Sequence, residues 1–153
     1  MKGMTNVFGE LDIKDRWNLK IIKVEPHEVK SYTPIGMAYV MMRNASFESK
    51  DISLSYKYAC VNTRDPFTVA CEENSSACII DFPGLSLLET RLFIQDCLDM
   101  GNLSYMDGGT NTTAINPGRL GDPVVNYVHF PAHMYQTLHT HPSHRVGLVI
   151  RGN

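Results

Sequence analysis

His139-Thr140-His141-Pro142-Ser143-His144-Arg145-Val146-Gly147-Leu148-Val149-Ile150-Arg151-Gly152 is the stretch on which the fold of this chain turns. Five of the six histidines lie at or after position 129, so whatever chemistry imidazole supplies is concentrated here. Residues two apart in a strand share a face, which sends His139 and His141 to the same side. Two imidazoles so placed can hold one transition-metal ion, leaving positions for protein, water or substrate. The pair runs through a turn at Pro142-Ser143 into a strand expected over 145–151 and a closing glycine. That order is the first half of a metal or small-ligand site in a β-barrel.

Strand patterns continue upstream. Two strands are expected over 124–130 and 134–141, parted by Pro131-Ala132. Tyr127, Tyr135 and Thr137 alternate with the histidines and would line the same pocket or fill the barrel. His129, between Val128 and Phe130, reads as a core residue with a satisfied ring. Residues 107–123 carry Asp107-Gly108-Gly109, Pro117-Gly118 and Gly121-Asp122-Pro123 and read as a turn-rich loop with at most a short strand.

Earlier, Leu19 to Glu25 is β-type and stopped by Pro26, and Gly36 to Met42 is a nearly continuous apolar run. Over 52–59, Ile52, Leu54, Tyr56 and Tyr58 alternate with Ser53, Ser55, Lys57 and Ala59, the period of a half-buried strand. Short strands are expected at 67–71 and 77–82, separated by the polar turn Glu72-Glu73-Asn74-Ser75-Ser76. One helix is predicted near 87–100. Ser86 and Glu89 form a capping-box pair before it and Gly101 is a suitable stop, with a β alternative over Thr90 to Ile94.

The chain has 153 residues, one domain's worth, with 14 basic against 16 acidic side chains. That balance argues against a nucleic-acid surface and a polybasic membrane anchor. Apolar runs fall far short of the roughly 20 residues a membrane helix needs. The first 20 residues mix Lys2, Glu10, Asp12, Lys14, Asp15 and Arg16, without a secretory pattern. A cytoplasmic protein is expected. Cys60, Cys71, Cys78 and Cys97 include no CxxC and read as buried, reduced thiols. Sequons at Asn44, Asn74, Asn102 and Asn111 read as polar loops.

Residues 131–152 resemble the first motif of the cupin superfamily. Pro131-Ala132-His133 occupies the place of a Pro-x-Gly turn, His139 and His141 match the two histidines, and Gly152 falls at the closing glycine. The resemblance implies a mainly β fold, a cupin-like barrel or sandwich spanning 1–153. It implies a divalent transition metal (Fe, Mn, Ni or Zn) on His139 and His141, and an oxygenase, isomerase or lyase acting on a small polar substrate. Three departures qualify this. His133 replaces the motif's glycine, Arg145 replaces its metal-binding glutamate, and the second motif, which supplies the last histidine, would lie beyond residue 153.

Arg145 has the larger physical consequence. A guanidinium cannot ligate and stays protonated. At about 4 Å from a divalent ion its repulsion would be roughly 8 kcal/mol at an effective dielectric of about 20, twice the unit-charge figure. Beside two imidazoles it suits an anionic ligand, carboxylate or phosphate. Tyr127, Tyr135 and His133 are the further candidate ligand contacts, and His133 or His144 could complete a metal site. No Asp or Glu follows Asp122, so a carboxylate must come from the earlier chain or another subunit. Catalytic residues are not assignable, and a non-catalytic binding module or an assembly protein uses the same fold. The last strand, at a sheet edge, needs cover: from chain beyond 153, a second subunit in a homo-oligomer, or the N-terminal strands.

Overall fold

The computed structural model describes residues 9–85, 89–94, 108–135 and 141–152. Among the described residues nine strands, all antiparallel to their neighbours, form two sheets. They are β1 (Glu10–Ile13), β2 (Leu19–Val24), β3 (Val29–Tyr32), β4 (Met37–Ser49), β5 (Ser53–Thr63), β6 (Phe67–Phe82), β7 (Arg91–Ile94), β8 (Thr110–Ile115) and β9 (Val125–His129). The larger sheet runs β1-β2-β6-β4-β5-β7, with β3 also on β6; β8 and β9 pair with each other. The chain is mainly β, as its alternating patterns predict.

The apolar run from Gly36 opens β4, and the period-two segment lies in β5. The two short strands expected around residues 72–76 are one strand, β6. Its register against β4 passes from Arg43↔Ser76 to Ala45↔Cys71, so residues 72–75 face Asn44 alone. The polar stretch is therefore a bulge and not a turn. Asn44 and Asn74 both take left-handed φ values, 52° and 64°, which asparagine tolerates better than most residues. Ser75 Oγ donates to the Asn44 carbonyl at 2.6 Å, and Asn44 Nδ2 to that of Asn74 at 3.3 Å.

The bulge resets the side-chain alternation. Ala38, Val40 and Met42 before it, and Ala45 and Phe47 after it, all join one buried cluster with Ile22, Val61, Val69 and Ile79. Without the extra residue, Phe47 would point to the opposite face. Instead it stacks on Phe67, ring centroids 5.1 Å apart. Alternation in β5 breaks at the same level: Leu54, Ala59 and Val61 enter this cluster, whereas Tyr56 is exposed and Tyr58 meets Tyr127. A second cluster covers the other face. Leu19, Ile21, Met37, Tyr39, Ile80 and Phe82 lie beneath Ile115 of β8, with Val125, Val146 and Leu148 packed against them.

The predicted helix is corrected where it can be seen. Residues 91–94 are strand β7, paired with β5 through Asn62↔Arg91 to Ala59↔Ile94. The cause is non-local. Asn62, buried in β5, accepts from the Arg91 amide at 2.6 Å and donates to the Glu89 carbonyl at 3.4 Å, holding this stretch extended. Residues 87–88 and 95–100 lie outside the described residues. The turn-rich segment includes β8, a six-residue strand. The strand expected over 134–141 is not formed at residues 134, 135 and 141, and 136–140 lie outside the described residues. The strand expected over 145–151 is also not formed: that stretch has alternating burial but no ladder.

Cys60, Cys71 and Cys78 carry free thiols, two buried and Cys60 half-buried; Cys97 lies outside the described residues. Burial pushes Cys60 and Cys78 up to about 12, and Cys71, also near Glu28 and Glu25, up to about 11. Thiolate is the reactive form, so labelling of these three by a disulfide reagent at about pH 8 should be at least about a hundredfold slower in native than in denatured protein. Peptide mapping reads each site; equal native and denatured rates would contradict this packing.

Candidate functional site

The histidine-rich end is built on the rim of the second face. β9 delivers Tyr127 and His129, both half-buried, opposite Thr112 and Thr110 of β8. The Tyr127 ring meets that of Tyr58 at 6.1 Å between centroids, so its ring is packed against the larger sheet. After β9 the chain turns at 131–134, closed by the Met134 amide donating to the Pro131 carbonyl at 3.3 Å. His133, third in that turn, has φ 63°. A glycine ordinarily takes such a position, and here a histidine does. The His133 side chain is exposed, and Tyr135 is 79% exposed, so neither lies in an enclosed pocket. His139 and Thr137 lie outside the described residues.

Residues 142–143 bend the chain back, as Pro142-Ser143 predicts, and bring two candidates together. Arg145 Nη2 lies 3.1 Å from His141 Nδ1, with both residues exposed. Arginine only donates, so Nδ1 is the acceptor, and a neutral ring then carries its proton on Nε2. The next link was not visible in sequence. His144 Nδ1 lies 3.2 Å from Asp15 Oδ2, whose other oxygen accepts from the Trp17 amide at 2.8 Å. A carboxylate from the earlier chain thus reaches the cluster. No spacing singles out Asp15 among the 16 acidic residues; only the lack of acids after Asp122 says that one must come from upstream.

The same corner is tied to the loop after β8. Arg16 donates to the Gly121 carbonyl and lies over the Trp17 ring, 4.5 Å from its centre. Arg119 holds the buried Asp122 carboxylate with two contacts, 3.1 and 3.3 Å. The neighbourhood of the bend therefore contains both acids with cationic or imidazole partners and one exposed guanidinium on an imidazole. Among the described residues no group of three or more His, Cys, Asp or Glu is arranged to hold a metal ion. An open groove of about 380 Å³ lies elsewhere, between Ser31–Thr33, Glu48–Lys50 and Pro66–Thr68, and none of the described histidines line it.

No protein-family profile matches this chain, and neither a curated protein nor a solved structure matches it. Among the described residues no helix is long and apolar enough to cross a membrane.

Proposed function

We propose that this chain is a cupin-like β protein that binds a small anionic ligand, a carboxylate or phosphate, at the bend 141–145. Arg145 is the cationic contact, with the His141 imidazole beside it. The contact between Arg145 Nη2 and His141 Nδ1 carries the reading. It occupies the Nδ1 lone pair of the imidazole and sets the ring next to a guanidinium whose charge is permanent. A charged, planar donor at an exposed corner suits an oxyanion. His133, Tyr127 and Tyr135 are secondary candidates for the rest of the ligand.

The same contact weighs against a metal on His141. A divalent ion shared with His139 would need a free imidazole lone pair and would have to displace Arg145 from Nδ1. The metal-dependent enzyme reading rests on the His139/His141 spacing and on the cupin resemblance, and it makes the opposite prediction in one experiment. The purified chain is dialysed without chelator, assayed for Fe, Mn, Ni and Zn, then titrated with inorganic phosphate before and after chelation. The anion reading expects phosphate binding that chelation leaves unchanged. Near-stoichiometric metal, lost in His139→Ala/His141→Ala, with phosphate binding only to the metal-loaded protein, would overturn it.

A further inference from the structure

We propose that residues 144–150 are a detachable strap on the second face of the sheet, and that an anion held by His141 and Arg145 favours its seated state. The second half rests on the anion reading above; the first does not.

The strap has the side-chain pattern of a strand without its hydrogen bonds. Val146, Leu148 and Ile150 are half-buried and alternate with exposed Arg145, Gly147 and Val149. Val146 and Leu148 pack against the cluster containing Tyr39, Ile80 and Ile115. Yet among the described residues no backbone–backbone hydrogen bond involves 144–150. A laddered strand can leave a sheet only by breaking a row of such bonds; this segment leaves by breaking side-chain contacts alone.

Polar contacts hold its two ends. His144 sits on Asp15, and Arg43 Nη1 donates to the Ile150 carbonyl at 3.2 Å. The Arg43 anchor is poorly compensated. Arg43 Nε is buried without a hydrogen-bond partner, and among the described residues the side chain has no carboxylate partner. A buried donor without an acceptor is unfavourable, and lifting the strap would let water reach it.

Seating also determines the binding corner. With Val146 and Leu148 inward, Arg145 is directed outward beside His141; a lifted strap frees it. A ligand that needs both groups binds the seated state better and shifts the population towards it.

Thiol accessibility tests this. Leu148→Cys and, separately, Val146→Cys place a reporter on the seated face; Val149→Cys, at a position 68% exposed, is the always-open control, and native Cys71 in β6, buried in the cluster on the opposite face, the always-closed one. Alkylation is read by peptide mass. For either inward reporter the proposal predicts a rate at least about tenfold below that of Val149→Cys and at least about tenfold above that of Cys71. Phosphate at ten times its Kd should slow the inward reporters about tenfold and leave Val149→Cys unchanged. A rate equal to that of Cys71 would mean that the strap is a fixed part of the fold, and one equal to the Val149→Cys rate that it is not seated; either overturns the proposal. Calorimetry on the same samples separates the two ideas. Phosphate that binds without slowing the reporters overturns the coupling and leaves the anion reading standing. No phosphate binding removes that reading and the coupling together, while the order of rates still decides the strap.

Discussion

Asp81→Ala is expected to destabilise the protein by about 3–5 kcal/mol, a large part of the roughly 5–15 kcal/mol that holds a typical domain folded. Asp81, on β6, is fully buried, and its carboxylate is an acceptor hub. It takes the Tyr32 hydroxyl at 2.9 Å, the Ile35 amide at 2.7 Å and the Gly36 amide at 3.1 Å. These bonds fix the connection between β3 and β4 onto the strand that both pair with. Burial, and then the Asp81 contact, hold the Tyr32 phenol well above its usual range, so it stays a neutral donor. Alanine would leave three donors without their acceptor, each at a cost of about 1–3 kcal/mol where water cannot reach. Asp81→Asn keeps acceptor oxygen but turns an amide towards a donor, and an intermediate loss of about 2 kcal/mol is expected. Urea unfolding measures both. A midpoint for Asp81→Ala within about 1 kcal/mol of the wild type would mean that the hub does not hold the turn.

Gly36→Ala should cost about 3 kcal/mol or more, through sterics alone. A Cβ there would lie 2.1 Å from the Phe82 carbonyl oxygen and 2.7 Å from Pro83 Cα, both backbone atoms. Neither can swing aside as a side chain could. Relief would require parting β4 from β6 at the Met37↔Phe82 pair, where the two begin their ladder. Gly147→Ala is the matched control: with nothing within 4 Å, it should change stability by less than about 0.5 kcal/mol. Gly36 donates to Asp81, so the two damaging substitutions share one structure and their costs should not add. Unfolding of Gly36→Ala with an unchanged midpoint would contradict the close approach of these strands.

Much of the sheet was legible because alternation is a local property. Leu54 enters the core as its pattern predicts, and β2 ends just before Pro26 as its sequence does. Alternation carries no information about a bulge, however. Glu72 to Ser76 have the composition of a turn, and Asn74 has the left-handed φ a turn would use, yet the partner strand opposite is what makes the stretch a corner in one long strand. The segment 91–94 shows the same limit. Ser86 and Glu89 are local helix signals, whereas the Asn62 side chain that holds the chain extended lies 29 residues before Arg91. At the candidate site, Arg145 in the place of a glutamate was legible as a departure from a metal-binding pattern. Its contact with His141 depends on the bend at 142–143, and the Asp15–His144 link joins residues far apart in the chain. Such partners are set by the fold as a whole.

The most direct test of the proposed binding role is calorimetric titration of inorganic phosphate into the wild type, Arg145→Ala and Arg145→Lys at fixed low salt. Measurable binding to the wild type is expected, with a loss of about ten- to hundredfold in Arg145→Ala, the range of one charge-assisted hydrogen-bonded contact. A smaller loss is expected in Arg145→Lys, which keeps the charge without the planar fork. Equal affinities in all three proteins, or no binding to a folded wild type, would contradict the claim that the bend at 141–145 is an anion site.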